Sequence, residues 1–441
     1  MLDMVRNLGG AALNASSDSL MEVLTSEVAI IIYIFAILAI IAVLVVAVVF
    51  SQRKEKDEPV EIVIDEISLS EELQPIEAKE EDTERFCMLS AIDRKRNSYG
   101  HTSYVKNVTL EEFCENFRNY AAYEHGLYYD IEDIRRFIAG MSVSHMLILQ
   151  GMSGTGKTSL AHAIGSFIDN TSTIIPVQPM WKERTDLVGY YNEFTKRFNE
   201  TLLLTKMYEA NYSRDIYVTV LDEMNIARIE YYFAEFLSLL ELPNPDERYL
   251  DVVSDKWEND PIQLKDGRIK LPTNMWFIGT ANNDDSTFLI SDKVYDRAMI
   301  LDLDQKTEPF VAPPTEKMIL SAGEFDKLVK SAQKEYEISY RNKKRLEMLD
   351  EYLITHFHVT FGNRIMKQIT TYIPVYIACG GDELFALDDI LSKKVIRKLE
   401  SQNPIYFKNA SDGLIAYIDD LFGAENMNLC KEHIKRILRN A

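Results

Sequence analysis

The chain has 441 residues, of which 46% are hydrophobic, so it is long enough for two or three folded units with a sizeable core. Its formal net charge of −21 argues against broad non-specific binding to nucleic acid, while leaving room for a local basic surface in the pore of an oligomer. The four cysteines are scattered without C-x-x-C spacing, which predicts reduced, mostly buried thiols and no metal site.

An uninterrupted apolar run lies near the N-terminus. Residues 28–50 read VAIIIYIFAILAIIAVLVVAVVF, and no charged residue occurs between Glu27 and Arg53. This length predicts a single transmembrane helix over 28–50. The flank that follows is basic, so the positive-inside rule places residues 1–27 outside the cell membrane and the rest of the chain in the cytoplasm. A cleaved signal peptide and a buried core helix are the competing interpretations, and both fit this length and these flanks less well.

Residues 51–85 are predicted to form a flexible acidic linker. Within 55–85 acidic residues outnumber basic ones thirteen to three, and Pro59 and Pro75 interrupt any helix. A short alternating run at 60–64 leaves a strand or a docking peptide for a partner as the alternative. Residues 1–27 and 28–50 precede this linker as separate segments, and the chain is expected to fold from residue 86 onward.

The first motif with specific chemistry is a P-loop. Residues 151–158 read GMSGTGKT, a match to G-x-x-x-x-G-K-[ST], after an apolar run typical of a buried strand and before a stretch with helical spacing. Glycines in the loop let backbone N–H groups turn around phosphate oxygens. Lys157 is expected to reach the β- and γ-phosphates, and Thr158 to ligate Mg²⁺. The predicted nucleotide-binding residues of the loop are Gly151, Ser153, Gly154, Thr155, Gly156, Lys157, Thr158 and Ser159.

Further strands end in polar residues. The apolar run 216–221 leads into Asp222-Glu223, where Asp222 is expected to bind the nucleotide with Mg²⁺ and Glu223 to polarise the attacking water. The metal ligands predicted on the chain are therefore Thr158 and Asp222. The run 275–281 ends at Asn282, whose amide can hydrogen-bond the γ-phosphate or the lytic water.

Arg297 precedes the strand-like stretch 298–303. An arginine at the end of a helix, directed away from its own site, suits a finger that reaches into a neighbouring subunit. The alternative is a cation that stabilises the C-terminus of the helix dipole.

Taken together, these motifs resemble the AAA+ ATPases of the dynein-related subfamily, which includes McrB-type restriction NTPases and MoxR-type ATPases. The resemblance covers approximately residues 100–400 and rests on QGMSGTGKTSLAHAI, VQPMWKERTDLVGYYN, VLDEMNIARIEYYFAEFLSLLE, LPTNMWFIGTANNDDSTFLISDKVYDRA and FGNRIMKQITTYIPVYIA. It implies an α/β fold with a P-loop NTPase core over 86–310, in which helices sandwich a parallel sheet. A helical lid domain over 311–441 would follow. Apolar residues at helical spacing predict helices over 324–340, 343–356 and 364–377, the last of which Pro374 would kink or end.

The resemblance also implies roles. It makes Asn282 the sensor 1 residue, Arg297 the arginine finger and Arg364 the sensor 2 arginine at the start of a lid helix. The segment 186–192 resembles the helix-2 insert, and 261–272 resembles the pre-sensor hairpin, which in such families face the central pore or a partner. The predicted catalytic residues are Glu223, Asn282, Arg297 and Arg364.

Two departures from McrB-type proteins bear on function. This chain reads TANNDDS at sensor 1 and lacks the arginine of the Met-Asn-Thr-x-Asp-Arg-Ser stretch, so the expected nucleotide is ATP with Mg²⁺ rather than GTP. The sequence contains neither a DNA-reading domain nor a nuclease signature, and the anchor and linker occupy the N-terminal part instead. Nucleic acid is therefore expected as a partner only indirectly.

The sequence predicts a membrane-anchored AAA+ ATPase that hydrolyses ATP in a ring of identical subunits, with a hexamer as the expected state, and so remodels or translocates a partner. Arg297 would act in trans, and the other site residues, including Arg364, in cis. Two alternatives remain open. One is the motor subunit of a McrBC-like restriction or phage-defence system with the nuclease on another chain. The other is a nucleotide-gated membrane scaffold without turnover, against which the intact Glu223 argues.

Overall fold

The computed structural model describes residues 84–282, 287–304 and 306–440. The predicted transmembrane helix at 28–50, the segment 1–27 and the linker up to residue 83 lie outside these residues. Within the part of the chain that is described, no helix combines the length and the apolar character needed to cross a bilayer.

Strands and helices alternate up to residue 302, and α-helices follow from residue 322 onward. In chain order the strands of the described residues are β1 (Met146–Gly151), β2 (Thr173–Pro176), β3 (Gly189–Asn192), β4 (Arg197–Glu200), β5 (Tyr217–Asp222), β6 (Tyr249–Asp251), β7 (Leu264–Lys265), β8 (Arg268–Lys270), β9 (Met275–Asn282) and β10 (Met299–Asp302). The α-helices are α1 (Cys87–Arg94), α2 (Leu110–His125), α3 (Ile131–Val143), α4 (Lys157–Phe167), α5 (Thr185–Val188), α6 (Leu202–Ala210), α7 (Ile229–Tyr232), α8 (Ala234–Glu241), α9 (Asp292–Tyr295), α10 (Ala322–Glu335), α11 (Tyr340–Phe357), α12 (Gly362–Ala378), α13 (Glu383–Lys394), α14 (Pro404–Phe422) and α15 (Asn428–Asn440).

Five of these strands form a parallel sheet in the order β10-β1-β9-β5-β2. In β1 and β9 nearly every side chain is buried, as expected when helices cover both faces of a parallel sheet. Alternate residues point to opposite faces, so Leu147 packs in one hydrophobic cluster and Ile148 in the other. The predicted α/β fold, with a parallel sheet between helices, is therefore confirmed.

The helices α10 to α15, called the lid helices below, share a core with one face of the sheet. Ile369 and Leu391 of the lid helices belong to the same cluster as Trp276 of β9. The rings of Trp276 and Phe325 meet edge to face, with 5.9 Å between their centroids. The helical character predicted for the C-terminal part is confirmed for residues 322–440, and the domain boundary near residue 310 stays a prediction.

Two predicted helix ends are wrong. Pro374 is predicted to kink or end its helix, and the predicted end is wrong because α12 continues past it to Ala378. The residues on either side of the proline, Tyr372–Tyr376, are buried, and their packing outweighs the one backbone hydrogen bond that proline removes. The helix predicted over 324–340 ends at Glu335, because the side chain of Ser339 accepts a hydrogen bond from the N–H of Asn342 and starts α11 instead.

Both predicted insertions contain antiparallel strands. In the first, β3 lies within 186–192 and pairs with β4, which follows that segment. In the second, β7 and β8 lie within 261–272 and form a three-stranded sheet with the earlier strand β6. Asp266 and Gly267 join β7 to β8 with φ angles of 52° and 75°. Two successive positive φ angles are typical of the tight turn that an Asp-Gly pair favours, so the predicted hairpin is confirmed.

Candidate nucleotide-hydrolysis site

The P-loop connects β1 to α4 and has a backbone that glycine makes possible. Gly151, Gly154 and Gly156 have φ angles of 145°, 79° and 89°. At Gly151 glycine is also required for space, because a Cβ atom would strike the carbonyl oxygen of Leu303 and lie 3.1 Å from Oδ1 of Asp304. The loop therefore brings its N–H groups to the N-terminus of α4, an arrangement suited to anionic phosphate.

The remaining predicted loop residues lie at the outer turn and in the first turn of α4. Ser153 is exposed, and Thr155 Oγ1 donates a hydrogen bond of 3.0 Å to the carbonyl of Met152. Thr158 and Ser159 are half-buried at the start of α4. The structure thus keeps all of the predicted loop residues in one turn, with hydroxyls on both sides of it.

Lys157 lies inside the loop and is buried, with 6% of its surface exposed. Its Nζ donates hydrogen bonds to the carbonyls of Gly151 (3.0 Å) and Met152 (2.7 Å), which leaves one of its three N–H groups for a phosphate. Burial lowers the pKa of Lys157, and nearby carboxylates, with Asp304 the strongest, oppose this effect. A phosphate bound here would add negative charge and so favour the protonated ammonium.

The two predicted Mg²⁺ ligands are in direct contact. Thr158 Oγ1 donates to Asp222 Oδ1 at 2.7 Å. A hydroxyl beside a carboxylate is a set of hard oxygen donors that fits Mg²⁺, which takes one or two carboxylates together with substrate phosphates and waters. No cluster of three or more His, Cys, Asp or Glu side chains within the described ranges could hold a metal alone. Phosphate and water oxygens would therefore have to complete the shell.

Thr280 of β9 links Asp222 to Glu223 and was missed by the sequence reasoning. Its Oγ1 donates to Asp222 Oδ1 at 2.8 Å and accepts from the backbone N–H of Glu223 at 2.9 Å. The available signal was its position two residues before Asn282, because residues i and i+2 of a strand lie on the same side. This one hydroxyl fixes both acidic residues at the end of β5.

Glu223 is held in an uncommon backbone conformation, with φ 52° and ψ 47°. Positive φ in a residue other than glycine is strained and often found at functional sites. The next residue, Met224, is packed against Gly279, where a Cβ atom would strike its sulfur. This turn leaves the Glu223 side chain exposed at the edge of the sheet, where it can meet water.

Asn282 lies directly beside the P-loop. In the parallel pairing of β1 with β9, Gly151 is the partner of Asn282. The Asn282 carbonyl accepts hydrogen bonds from Asn225 Nδ2 (2.9 Å) and Thr287 Oγ1 (3.0 Å), which fix the end of the strand. The structure therefore brings Asn282 together with the P-loop and with the Asp222-Glu223 pair, as the sequence predicts.

A cleft of about 670 Å³ opens next to the P-loop, between the end of β10 and the lid helices. Gln150 and Asp304 line it on the sheet side, and Lys393 and Arg436 on the lid side. This volume is within the usual range of small-molecule sites. Gln150 directly precedes Gly151, although none of residues 151–158 lines the cleft itself.

Arg297 and Arg364 converge on one carboxylate. Arg297 Nε lies 2.8 Å from Glu241 Oε2, and Arg364 Nη2 lies 2.6 Å from Glu241 Oε1. The described contacts thus pair Arg364 with the predicted trans arginine rather than with Lys157. The expected role of Arg364 in the site of its own subunit stays a prediction. Glu241, the carboxylate that the two arginines share, was not predicted from the sequence.

Part of the chain matches a known family of domains. Residues 146–298 match the family model described as AAA domain (dynein-related subfamily), a range that starts at β1 and includes Arg297. These residues form an AAA domain of the dynein-related subfamily. No curated protein matches the chain.

Among solved structures, a full-length MCM homolog from Methanopyrus kandleri matches at 11% identity and a TM-score of 0.37. That match covers 77% of this chain and 63% of the MCM homolog chain, so this chain spans less than two thirds of that protein.

The AAA domain contains every predicted site residue except Arg364, which lies in α12 beyond the matched range. The subfamily prediction is confirmed at this level. A closer relation to McrB-type or MoxR-type proteins stays a prediction.

Proposed function

We propose that the chain is an ATPase that works in a ring of identical subunits, with Mg²⁺-ATP bound at the P-loop and hydrolysed at the boundary with the next subunit. The observation that carries the proposal is the set of hydrogen bonds joining Thr158, Asp222 and Thr280 to the backbone of Glu223, beside Lys157. This set brings Thr158, Asp222 and Glu223 together at one edge of the sheet, which supports the proposed roles in binding Mg²⁺ and activating water.

Within this site each residue has a distinct task. The loop N–H groups and the free N–H of Lys157 bind phosphate oxygens, and Thr158 with Asp222 would hold Mg²⁺. The ion, when bound, neutralises negative charge on the phosphate oxygens. Glu223 orients the attacking water and draws its proton, because its carboxylate is exposed at the end of β5. Asn282, beside Gly151, adds a hydrogen bond to the water or to the γ-phosphate.

We infer that Arg297 and Arg364 both act on the site of a neighbouring subunit. Their shared contact with Glu241 places them on the same surface, and the group of two arginines and one carboxylate carries a net positive charge. Arg364 has half of its side chain exposed and Arg297 about a quarter, so a γ-phosphate from outside can compete with Glu241 for both. For Arg364 this replaces the cis role suggested by the sequence.

The proposal also includes the features that only the sequence supports. These are the membrane anchor at 28–50, the cytoplasmic placement of the AAA domain, a hexamer and the remodelling or translocation of a protein partner. ATP is proposed over GTP on the TANNDDS stretch. The restriction-type motor and the scaffold without turnover remain alternatives, and no contact within the described residues favours either of them.

The direct test is Glu223→Gln in the full-length protein, measured as steady-state ATP hydrolysis and as binding of a labelled ATP analogue. We expect turnover to be lost and binding to be retained, because glutamine keeps the shape but cannot take a proton. Glu351→Gln, on the exposed side of α11, is the matched control and leaves both unchanged. Unaltered turnover in Glu223→Gln would refute the proposed mechanism.

A further inference from the structure

The backbone carbonyl groups of the residues around Arg297 accept hydrogen bonds from the lid helices. Residues 295–298, called the finger segment below, connect α9 to β10. Lys394, the last residue of α13, donates from Nζ to the carbonyl of Tyr295 at 2.7 Å and also to the carbonyl of Ala298. Gln368 of α12 donates from Nε2 to the carbonyl of Asp296 at 3.1 Å. Three hydrogen bonds, two from Lys394 and one from Gln368, therefore join this segment to the lid helices.

The fourth carbonyl of the finger segment is also occupied. Arg297 O accepts a hydrogen bond of 2.9 Å from Ser144 Oγ, in the turn before β1. Every backbone carbonyl of the segment thus accepts a hydrogen bond from a side chain, and three of these four hydrogen bonds come from the lid helices. The direction of the Arg297 side chain depends on this backbone.

Tyr295 of the finger segment makes two further contacts through its side chain, one with the lid and one with β1. The guanidinium of Arg397, just after α13, lies 3.2 Å from the centroid of the Tyr295 ring. On the other side, Tyr295 OH donates to Gln150 Oε1 at 2.9 Å, and Gln150 directly precedes Gly151 of the P-loop. The finger segment is therefore in contact with its own nucleotide-binding strand and with its own lid.

Burial of the Lys394 ammonium costs free energy of folding, because the charge loses its contact with water. Only 2% of it is exposed, and burial lowers its pKa to about 7. An apolar side chain of similar size would avoid the desolvation of an ammonium, and α13 already buries Leu387, Ile390 and Leu391 fully. A buried ammonium with two backbone acceptors instead fixes one arrangement of the two elements that it joins.

We propose that Lys394 is a positioning residue for Arg297, which fixes the finger segment to the lid of the same subunit. The position of the lid in one subunit then sets the rate of hydrolysis at the site of the next subunit. This inference rests on the proposed function, in which Arg297 acts in trans.

The first measurement uses Lys394→Met in the full-length protein, because methionine keeps the length of the side chain and removes the donor. We expect binding of an ATP analogue to be unchanged and turnover to fall on the order of 100-fold, as for a misplaced catalytic group. Lys408→Met, an exposed lysine of α14, is the control and keeps wild-type turnover.

Mixed rings separate a defect in the donated arginine from a defect in the subunit's own site. Lys394→Met and Glu223→Gln subunits are co-expressed with different tags, and rings with both tags are purified. Each variant alone is inactive, but a Glu223→Gln subunit still offers an intact Arg297 to a Lys394→Met site. In a random equal mixture about a quarter of the interfaces then become active, since the ring interface is head-to-tail. Rings of Lys394→Met with Arg297→Ala stay inactive, because neither offers a working finger.

The control for the proposed function is the pair Arg297→Ala with Glu223→Gln. If that pair stays inactive, the trans arrangement itself is wrong. If that pair recovers and Lys394→Met with Glu223→Gln does not, the trans arginine stands and the role of Lys394 is overturned. Should Lys394→Met fail to fold, as judged by thermal unfolding, Gln368→Met takes its place in the same mixtures. It removes the bond to Asp296 O, and recovery or its absence then decides the matter.

Discussion

The P-loop edge of the sheet and the surface around Glu241 are built in different ways. At the sheet edge, Asp222 of β5 accepts hydrogen bonds from Thr158, at the start of α4, and from Thr280 of the neighbouring strand β9. Around Glu241, Arg297 follows a four-residue helix and Arg364 comes from the lid. The groups around the P-loop are therefore positioned by the sheet, whereas the two arginines that we propose to act on a neighbouring subunit depend on where the lid helices lie.

The largest expected effect tests the first of these regions. Lys157→Ala removes the ammonium from inside the P-loop, and we expect affinity for Mg²⁺-ATP to fall by at least about 100-fold, since charge-assisted hydrogen bonds to phosphate are lost. Titration with a fluorescent ATP analogue measures this. Wild-type affinity in a folded Lys157→Ala protein would show that the loop does not bind the phosphates.

Arg297→Ala tests the second region and should separate it from the first. We expect analogue binding within about twofold of wild type and turnover reduced on the order of 1,000-fold, the size of effect known for arginine fingers. Single-turnover hydrolysis with saturating ATP is the measurement. If binding falls as much as in Lys157→Ala, Arg297 belongs to the subunit's own binding site and the division between the two regions is lost.

Thr280→Val sharpens the description of the sheet edge. It keeps the shape of the side chain but leaves the Glu223 N–H without its acceptor, which costs about 1–3 kcal/mol of stability. Turnover should fall by about tenfold, because Glu223 is no longer held in place. Thr219→Val on the adjacent strand is the control, since its buried Oγ1 makes no hydrogen bond with the described residues. Denaturant unfolding and ATPase assays compare the two, and equal losses would remove the special role of Thr280.

The last prediction concerns the dependence of stability on pH and its origin in the lid. The pKa of Lys394 is lowered to about 7 in the folded protein, against an ordinary value of about 10.4. Between these values the unfolded chain binds more protons, so stability rises with pH there and the penalty is complete below pH 7. Asp296 opposes the shift, whereas Arg364, Arg397 and Lys398 add to it. Wild type should therefore gain stability relative to Lys394→Met between pH 7 and 9 in urea unfolding. A constant difference would mean that Lys394 does not titrate in this range.

The sequence predicted the sheet edge well and the Glu241 surface poorly, for a physical reason. Buried strands reveal themselves as apolar runs, and the polar residue that ends each run must emerge at the edge of the sheet, as Asp222 and Asn282 do. Thr280 lies inside such a run, where only its spacing of two residues from Asn282 indicates that it faces the same side of the strand. Lys394 and its partner Tyr295 are 99 residues apart in the chain, so only the packing of α13 against the sheet brings them together.

The same limit applies to Pro374. Local propensity predicts a break there, but burial of the residues around it keeps α12 continuous as far as Ala378. A prediction from short-range rules fails where long-range packing supplies the larger free energy.

The register that sets Gly151 opposite Asn282 also means that Asn282 is either in this position or displaced by at least one whole residue along the strand. The strand that ends in Asn282 sends Trp276 and Ile278 to one hydrophobic cluster and Met275 and Phe277 to the other. A slip of β9 by one residue would exchange these faces and expel the core. Substitutions that leave the sheet folded should therefore leave Asn282 opposite Gly151. A small, graded displacement of Asn282 along the strand is not compatible with the folded core.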